Sequence, residues 1–268
     1  MKSLALLALA LPVLSAAGTP APHPGKTEVT WMGHAAFVVK TPQGTVLAID
    51  PWFTNPANPD KESVQKTEHL DFILVTHGHF DHVGDAVALG QKTGAKLVAT
   101  FDLVKVLVGA GYPKEQATMT TAGNVGGTIE LTPDLSVTIV PAVHGSTFQK
   151  DANSPIETAG SPVGFVLHIR GGPTLYHTGD TSVTADMKLV GDRYPIDVML
   201  ACIGGHFTMD PVDAATAARL VRAKAVVPMH FGTFPLLRGT PAELEAALRK
   251  QGSKAKVWTM NPGETRAF

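Results

Sequence analysis

The chain has 268 residues, 44% of them hydrophobic, and a formal net charge of −1. That length supports a substantial core, as one large domain or two fused halves, and the charge balance without a basic stripe excludes the electrostatic footprint of a nucleic-acid partner. The single cysteine, Cys202, excludes an internal disulfide, and its neighbours from Val198 to Ile203 make it a buried core thiol.

Residues 1–17 read as a secretory signal. Lys2 supplies the positive start, Leu4 to Leu14 an apolar run interrupted by Pro12, and Ser15-Ala16-Ala17 small residues for cleavage. The run is shorter than the roughly 20 residues a membrane span requires, so export to the periplasm or beyond is expected, without stable membrane insertion. Residues 18–26 read as a disordered leader and 27–268 as one domain. Glu28 to Lys40 and Thr45 to Asp50 flank a Pro-Gln-Gly turn and read as a hairpin. Asp71 to Thr76 is a continuous apolar run, the pattern of a strand buried on both faces. A helix is predicted over Val83 to Gln91, a strand over Lys96 to Ala99 and a short helix over Asp102 to Gly109. Thr128 to Val143 reads as two strands joined at Pro133-Asp134. Val163 to Arg170 and Pro173 to His177 form a second hairpin around Gly171-Gly172. Helices over Val183–Val190, Pro211–Ala223 and Pro241–Gln251 then alternate with strands over Ile196–Ile203, Ala225–Met229 and Lys256–Met260. Strands followed by strand–helix alternation, twice over, predict an α/β fold: an αββα sandwich of two mixed sheets with outer helices.

Seven potential ligands fall along this frame. His77, His79, Asp81 and His82 lie in Thr-His-Gly-His-Phe-Asp-His, immediately after the buried strand 71–76. His144, Asp180 and His230 each follow a short apolar run. His77 and His79 are two apart and share one side of an extended backbone, so both can grip one metal. Asp81 and His82 come after the chain turns into a helix and aim at a neighbouring point. Imidazoles and carboxylates at this density suit zinc or another borderline divalent metal. Taken singly, His144 and His230 read as hydrogen-bonded structural histidines and Asp180 as a turn or cap residue. Their common placement at strand ends favours a shared site.

The His-x-His-x-Asp-His run, the later single His, Gly179-Asp180-Thr181 and His230 resemble the metallo-β-lactamase superfamily. Trp31-Met32-Gly33-His34, Ile49-Asp50-Pro51, Gly204-Gly205-His206-Phe207-Thr208-Met209 and Met229-His230-Phe231 resemble its branch of uncharacterised metal-dependent hydrolases. Ascorbate-6-phosphate lactonases and N-acylphosphatidylethanolamine phospholipase D are more distant relatives. The resemblance covers nearly everything from Lys26 onward. It implies two divalent ions, Zn2+ first and Mn2+ or Fe2+ as alternatives. His77, His79 and His144 would hold one, Asp81, His82 and His230 the other, with Asp180 bridging. Two such ions about 3.5–4 Å apart share a hydroxide activated near neutral pH. The implied activity is hydrolysis of a small ester, lactone or phosphodiester, with Asp81 orienting the attacking hydroxide. Fold resemblance leaves the substrate open, and the oligomeric state is not legible. Competing classes are an iron-dependent oxygenase on the same fold and a non-catalytic metal- or ligand-binding protein. His79, where oxygen-reducing relatives carry a carboxylate, favours zinc hydrolysis.

His34 and His206 read either as packing histidines or as catalytic pocket residues beside the metals, and both are carried as catalytic candidates. Asp50 is placed to brace a ligand histidine. Trp52 and Phe53 open the Pro- and Asn-rich stretch Pro51 to Asp60, read as a loop over the site. Phe80, Phe148, Phe207, Phe231 and Phe234 flank site residues, with one or two lining an apolar mouth. His177 reads as core or as support for a ligand, and Ser146 as a loop hydroxyl near the metals.

Overall fold

The computed structural model describes residues 25–268; the expected export signal at 1–17, and the leader up to residue 24, lie outside them. In chain order come β1 (Glu28–Gly33), β2 (Ala36–Lys40), β3 (Val46–Ile49), α1 (Ser63–Lys66), β4 (Phe72–Leu74), α2 (Phe80–Val83), α3 (Ala86–Thr93), β5 (Lys96–Thr100), α4 (Phe101–Ala110) and β6 (Ala122–Gly123). Then follow β7 (Thr128–Thr132), β8 (Leu135–Pro141), β9 (Thr147–Phe148), β10 (Glu157–Thr158), β11 (Val163–Ile169) and β12 (Thr174–His177). The last are α5 (Asp186–Arg193), β13 (Val198–Cys202), α6 (Pro211–Leu220), β14 (Ala225–Met229), α7 (Pro241–Lys250), β15 (Lys256–Val257) and β16 (Thr265–Ala267).

Two seven-stranded sheets result, ordered β16-β1-β2-β3-β4-β5-β6 and β15-β14-β13-β12-β11-β8-β7, with β9 and β10 paired as a separate ribbon. Each sheet is half antiparallel and half parallel. The parallel half of the first is β3 to β6, and that of the second is β12 to β15. All residues of β4, β13 and β14 are buried, as expected of parallel strands covered on both faces.

Side-chain alternation assigns each sheet face to a layer. From the first sheet Leu47, Ile49, Phe72 and Leu74 point inward. They meet Val137, Ile139, Phe165 and Leu175 of the second sheet. The intervening Ala48 and Ile73 turn outward, onto Leu89 of α3 and Leu103 and Leu107 of α4. Ala214, Ala218, Leu244 and Leu248 of α6 and α7 cover the outer face of the second sheet. This is the expected αββα sandwich.

Several local expectations are corrected. Glu28–Lys40 is not one strand but the pair β1–β2, folded back at Gly33-His34, where both residues have positive φ (94° and 53°). The helix expected over Val83–Gln91 is two pieces, α2 and α3. They are separated at Gly84 (φ 40°), where a Cβ would lie 2.5 Å from Trp52 Cα. The last helical stretch before β14 ends at Leu220 rather than Ala223, and the strand from Lys256 stops at Val257. Among the described residues no helix is long and apolar enough to cross a membrane.

Candidate metal centre

The site is built where parallel strands end. β3 and β4 run in one direction and stop at Asp50 and at the Thr76–His79 turn. In the second sheet β8, β12 and β14 share a direction. They deliver His144, Asp180 and His230 within four residues of their carboxyl ends, the edge where open α/β sheets place ligands. Gly78 is required between His77 and His79. A Cβ there would lie 2.5 Å from Ala159 Cβ and 2.9 Å from the Thr147 carbonyl, because the β9–β10 ribbon packs directly on the turn. Ser146 fastens that contact, accepting the Gly78 N–H at 3.2 Å and donating to the Ala159 carbonyl at 3.1 Å.

All seven predicted ligands converge. His77 Nε2 faces His79 Nδ1 at 3.0 Å, and the His144 ring lies 5.2 and 5.0 Å from those two rings. Asp180 Oδ2 lies 3.0 Å from His230 Nε2, 3.3 Å from His82 Nε2 and 3.6 Å from His144 Nε2. Asp81 Oδ2 is 3.6 Å from His230 Nε2. Ligand atoms within 4.8 Å of one another form three overlapping groups: His77, His79 and His144; His77, His82 and Asp180; and His34, Asp81, His82 and His230.

Buried atoms without a hydrogen-bond partner test whether these residues fit a cation. They include His82 Nε2, Asp180 Oδ1 and His230 Nε2. The approaches of His82 and His230 to Asp180 are close yet lack hydrogen-bonding geometry. Buried polar atoms are normally satisfied; here the two imidazole nitrogens both face Asp180 Oδ2, and the other carboxylate oxygen, Oδ1, is itself unpartnered, which fits a cation. The donor set is imidazole and carboxylate, chemistry that suits a borderline divalent metal.

The supporting contacts fix ring tautomers. Asp50, buried and left-handed (φ 45°), accepts from Thr76 N, Thr76 Oγ1 and His82 Nδ1, each at 2.7 Å. His82 therefore keeps its hydrogen on Nδ1, so that its neutral, metal-binding form has its lone pair at Nε2, toward Asp180. Because the Thr76 hydroxyl donates to Asp50, it accepts from His77 Nδ1 at 3.0 Å, which leaves His77 Nε2 as a lone pair too. The anticipated brace at Asp50 thus serves two of the ligands, one of them through Thr76, which sequence reasoning missed.

His34 also joins the cluster. It is fully buried, and its Nε2 lies 3.0 Å from Asp81 Oδ2 while Nδ1 lies 3.0 Å from Thr233 Oγ1. A carboxylate only accepts, so Nε2 carries the hydrogen and the Thr233 hydroxyl donates to Nδ1. Thr233 was not anticipated; its only signal is a polar residue inside Met229–Phe234. The structure does not bring His206 into the cluster. It is exposed, its ring stands edge-on to Phe207 (4.4 Å), and it makes no hydrogen bond or ring contact with a ligand. His177 is core: its Nε2 donates to the Ala35 carbonyl and its Nδ1 accepts from Gly179 N–H. Cys202 is buried and its thiol is pushed up to about 11, chiefly by that burial.

Charge is arranged unevenly. Burial works against a charged His230, but the Asp180 and Asp81 carboxylates outweigh it and raise its pKa to about 9. The same contest, with Asp180 and Asp50 as partners, raises His82 well above the imidazole range. Burial favours a neutral Asp180, yet His230 and His82 hold it well below the carboxylate range. Asp81 is likewise depressed against its burial, by His230 and His34. His77, His79 and His144 are lowered, first by burial, and offer neutral lone pairs. His34 is lowered to about 4 by burial and is a neutral donor at ordinary pH. Four of the five non-glycine residues with positive φ among the described residues are His34, Asp50, His206 and His230. Backbone strain of this kind gathers at functional sites.

Residues 28–230 match the family model described as a beta-lactamase superfamily domain. The chain belongs to the metallo-β-lactamase superfamily. It is 59% identical over 245 residues to a UPF0173 metal-dependent hydrolase of Anaeromyxobacter sp. (strain K), covering 91% of this chain and 88% of that one. A UPF0173 metal-dependent hydrolase of Myxococcus xanthus is 49% identical over 95% of this chain and 92% of its own. Among solved structures, Igni18, a metallo hydrolase from the archaeon Ignicoccus hospitalis, superposes with a TM-score of 0.78 at 35% identity, over 91% of this chain and 99% of that one. With the His/Asp cluster, these likenesses support a metal-dependent hydrolase of this fold.

Proposed function

We propose that the protein is a dinuclear-metal hydrolase of small esters, lactones or phosphodiesters, with zinc as its metal. The observation that supports this best is the set of unpartnered, buried donors converging on Asp180. In this reading His77, His79 and His144 hold one ion, Asp81, His82 and His230 the second, and Asp180 both. Bound there, two divalent ions would supply Lewis acidity and a water activated near neutral pH.

The chain's own groups divide the remaining work. Asp81, held ionised by His230 and His34, accepts hydrogen bonds readily and keeps a proton poorly. It orients the nucleophile and passes a proton onward rather than storing it. His34 donates from Nε2 and fixes which way Asp81 Oδ2 points. The catalytic role expected of His206 is not carried forward.

Metal analysis of reconstituted protein tests the reading. Two ions per chain are expected, with ester or phosphodiester hydrolysis lost on chelation and both ions weakened in Asp180→Asn. Well under one ion per chain, or hydrolysis indifferent to a chelator, would overturn it. Export through residues 1–17 belongs to the same proposal. N-terminal sequencing of protein from the periplasmic fraction should start near residue 18, and an intact Met1 there would refute cleavage.

A further inference from the structure

Single exposed apolar side chains are ordinary on a protein surface; here an exposed aromatic one meets two that are half-buried. Phe80, between His79 and Asp81, is 66% exposed. Trp52 stacks on Phe234, with centroids 5.9 Å apart and planes 21° from parallel. Phe80 stands edge-on to both, at 5.7 and 6.4 Å. Trp52 and Phe234 each also meet the His34 ring edge-on, at 5.3 and 5.9 Å. His34 in turn holds Asp81. Three distant segments therefore build one aromatic wall that ends at the carboxylate facing His230.

Continuity with the donor cluster says what such a wall would receive: the part of a bound molecule beside the bond being cleaved, since Phe80 lies between two cluster residues and the Trp52–Phe234 pair rests on His34. Indole and phenyl faces offer apolar contact area and no fixed charge. We propose that Trp52, Phe80 and Phe234 form the subsite for the apolar alkyl or acyl part of the substrate. This deepens the hydrolase reading above and rests on it.

The test measures binding separately from turnover. Alkyl methyl ketones from butanone to octanone resemble esters in shape and cannot be hydrolysed. Their Kd values on metal-reconstituted protein are read by ligand-detected NMR titration. A fully buried methylene is worth about fourfold in affinity, and one resting on an open wall about twofold. Four added methylenes should then tighten binding about 16-fold at that twofold step. In Phe80→Ala, and in Phe80→Ala combined with Phe234→Ala, the gradient should shrink below about threefold on the same scale. Metal content and circular dichroism should stay unchanged. A flat series in the unmodified protein, or a gradient that survives the double substitution, overturns the proposal. Ester hydrolysis without a ketone gradient would sink the subsite and leave the hydrolase reading standing. A gradient without any hydrolysis would support the wall and sink that reading.

Discussion

Replacing Asp50 by Asn isolates the contribution of one buried oxygen pair. The carboxylate accepts three hydrogen bonds of 2.7 Å, from Thr76 N, Thr76 Oγ1 and His82 Nδ1. An amide matches its shape but offers one acceptor oxygen and one NH2 group. With the oxygen kept on Thr76 N, the NH2 group faces Thr76 Oγ1 and His82 Nδ1. His82 must then accept at Nδ1 and carry its hydrogen on Nε2, the atom aimed at Asp180. Restoring the useful tautomer forfeits a charge-assisted bond of about 1.5–3 kcal/mol. Removing such an orienting partner costs about 10–100-fold in metal affinity. The expectation for Asp50→Asn is therefore metal binding weakened by about 10–100-fold, with His82 and Asp180 still in place. Competition with a chromophoric chelator measures it. Affinity within about twofold of the unmodified protein, below the effects expected of an orienting carboxylate, would refute the tautomer argument.

Loading should release protons, because His230 (about 9) and His82 are both raised toward the charged form by Asp180. Metal affinity is expected to fall about tenfold per pH unit below pH 9 for each proton displaced; proton uptake by an indicator dye checks it, and pH-independent affinity would refute it. The same shift predicts the stability of chelated protein. A raised pKa contributes fully below the ordinary imidazole value of 6.5 and is lost as pH climbs through about 9. Chelated protein should thus lose up to about 3 kcal/mol across that window, by denaturant melts, with no such loss in loaded protein. Thr233→Val removes the hydroxyl that holds the His34 tautomer and should lower kcat about tenfold with little change in KM. Thr233→Ser should restore it, and equal kcat values in the two variants would exclude the positioning role. Gly78→Ala should destabilise the protein by about 1–3 kcal/mol through overpacking against the β9–β10 ribbon, as measured by thermal unfolding.

Much of the frame is legible because buried parallel strands announce themselves. Phe72–Leu74, Val198–Cys202 and Ala225–Met229 are unbroken apolar runs, and the ligands stand directly after two of them. The β1–β2 corner was not read, since Ala35 and Ala36 continue the apolar pattern across it. The sharp turn there depends on a left-handed histidine rather than on an Asn-Gly or Asp-Gly pair. β16 is an edge strand of three residues whose pairing with β1 is entirely tertiary. In the site the clustered histidines and aspartates stood out by type and spacing. Thr76 and Thr233 did not, because a threonine carries no mark of the ring nitrogen it will meet. His206 is the converse case: its residue type makes it a candidate, but its side chain stands in solvent, outside the His/Asp cluster.

His77, His79, Asp81 and His82 hang from one sheet, whereas His144, Asp180 and His230 hang from the other. The apolar filling between the sheets is therefore a caliper for the centre. The His177–Ala35 hydrogen bond, 3.0 Å long and crossing from the second sheet to the first, is one of its stops. Trimming Phe165 or Val137 in that filling, neither of them in the His/Asp cluster, would change the jaw opening before it unfolded the chain. Ions differing by a few tenths of an ångström in bond length would register the change as altered preference. Discrimination among cations is then written partly in hydrocarbon.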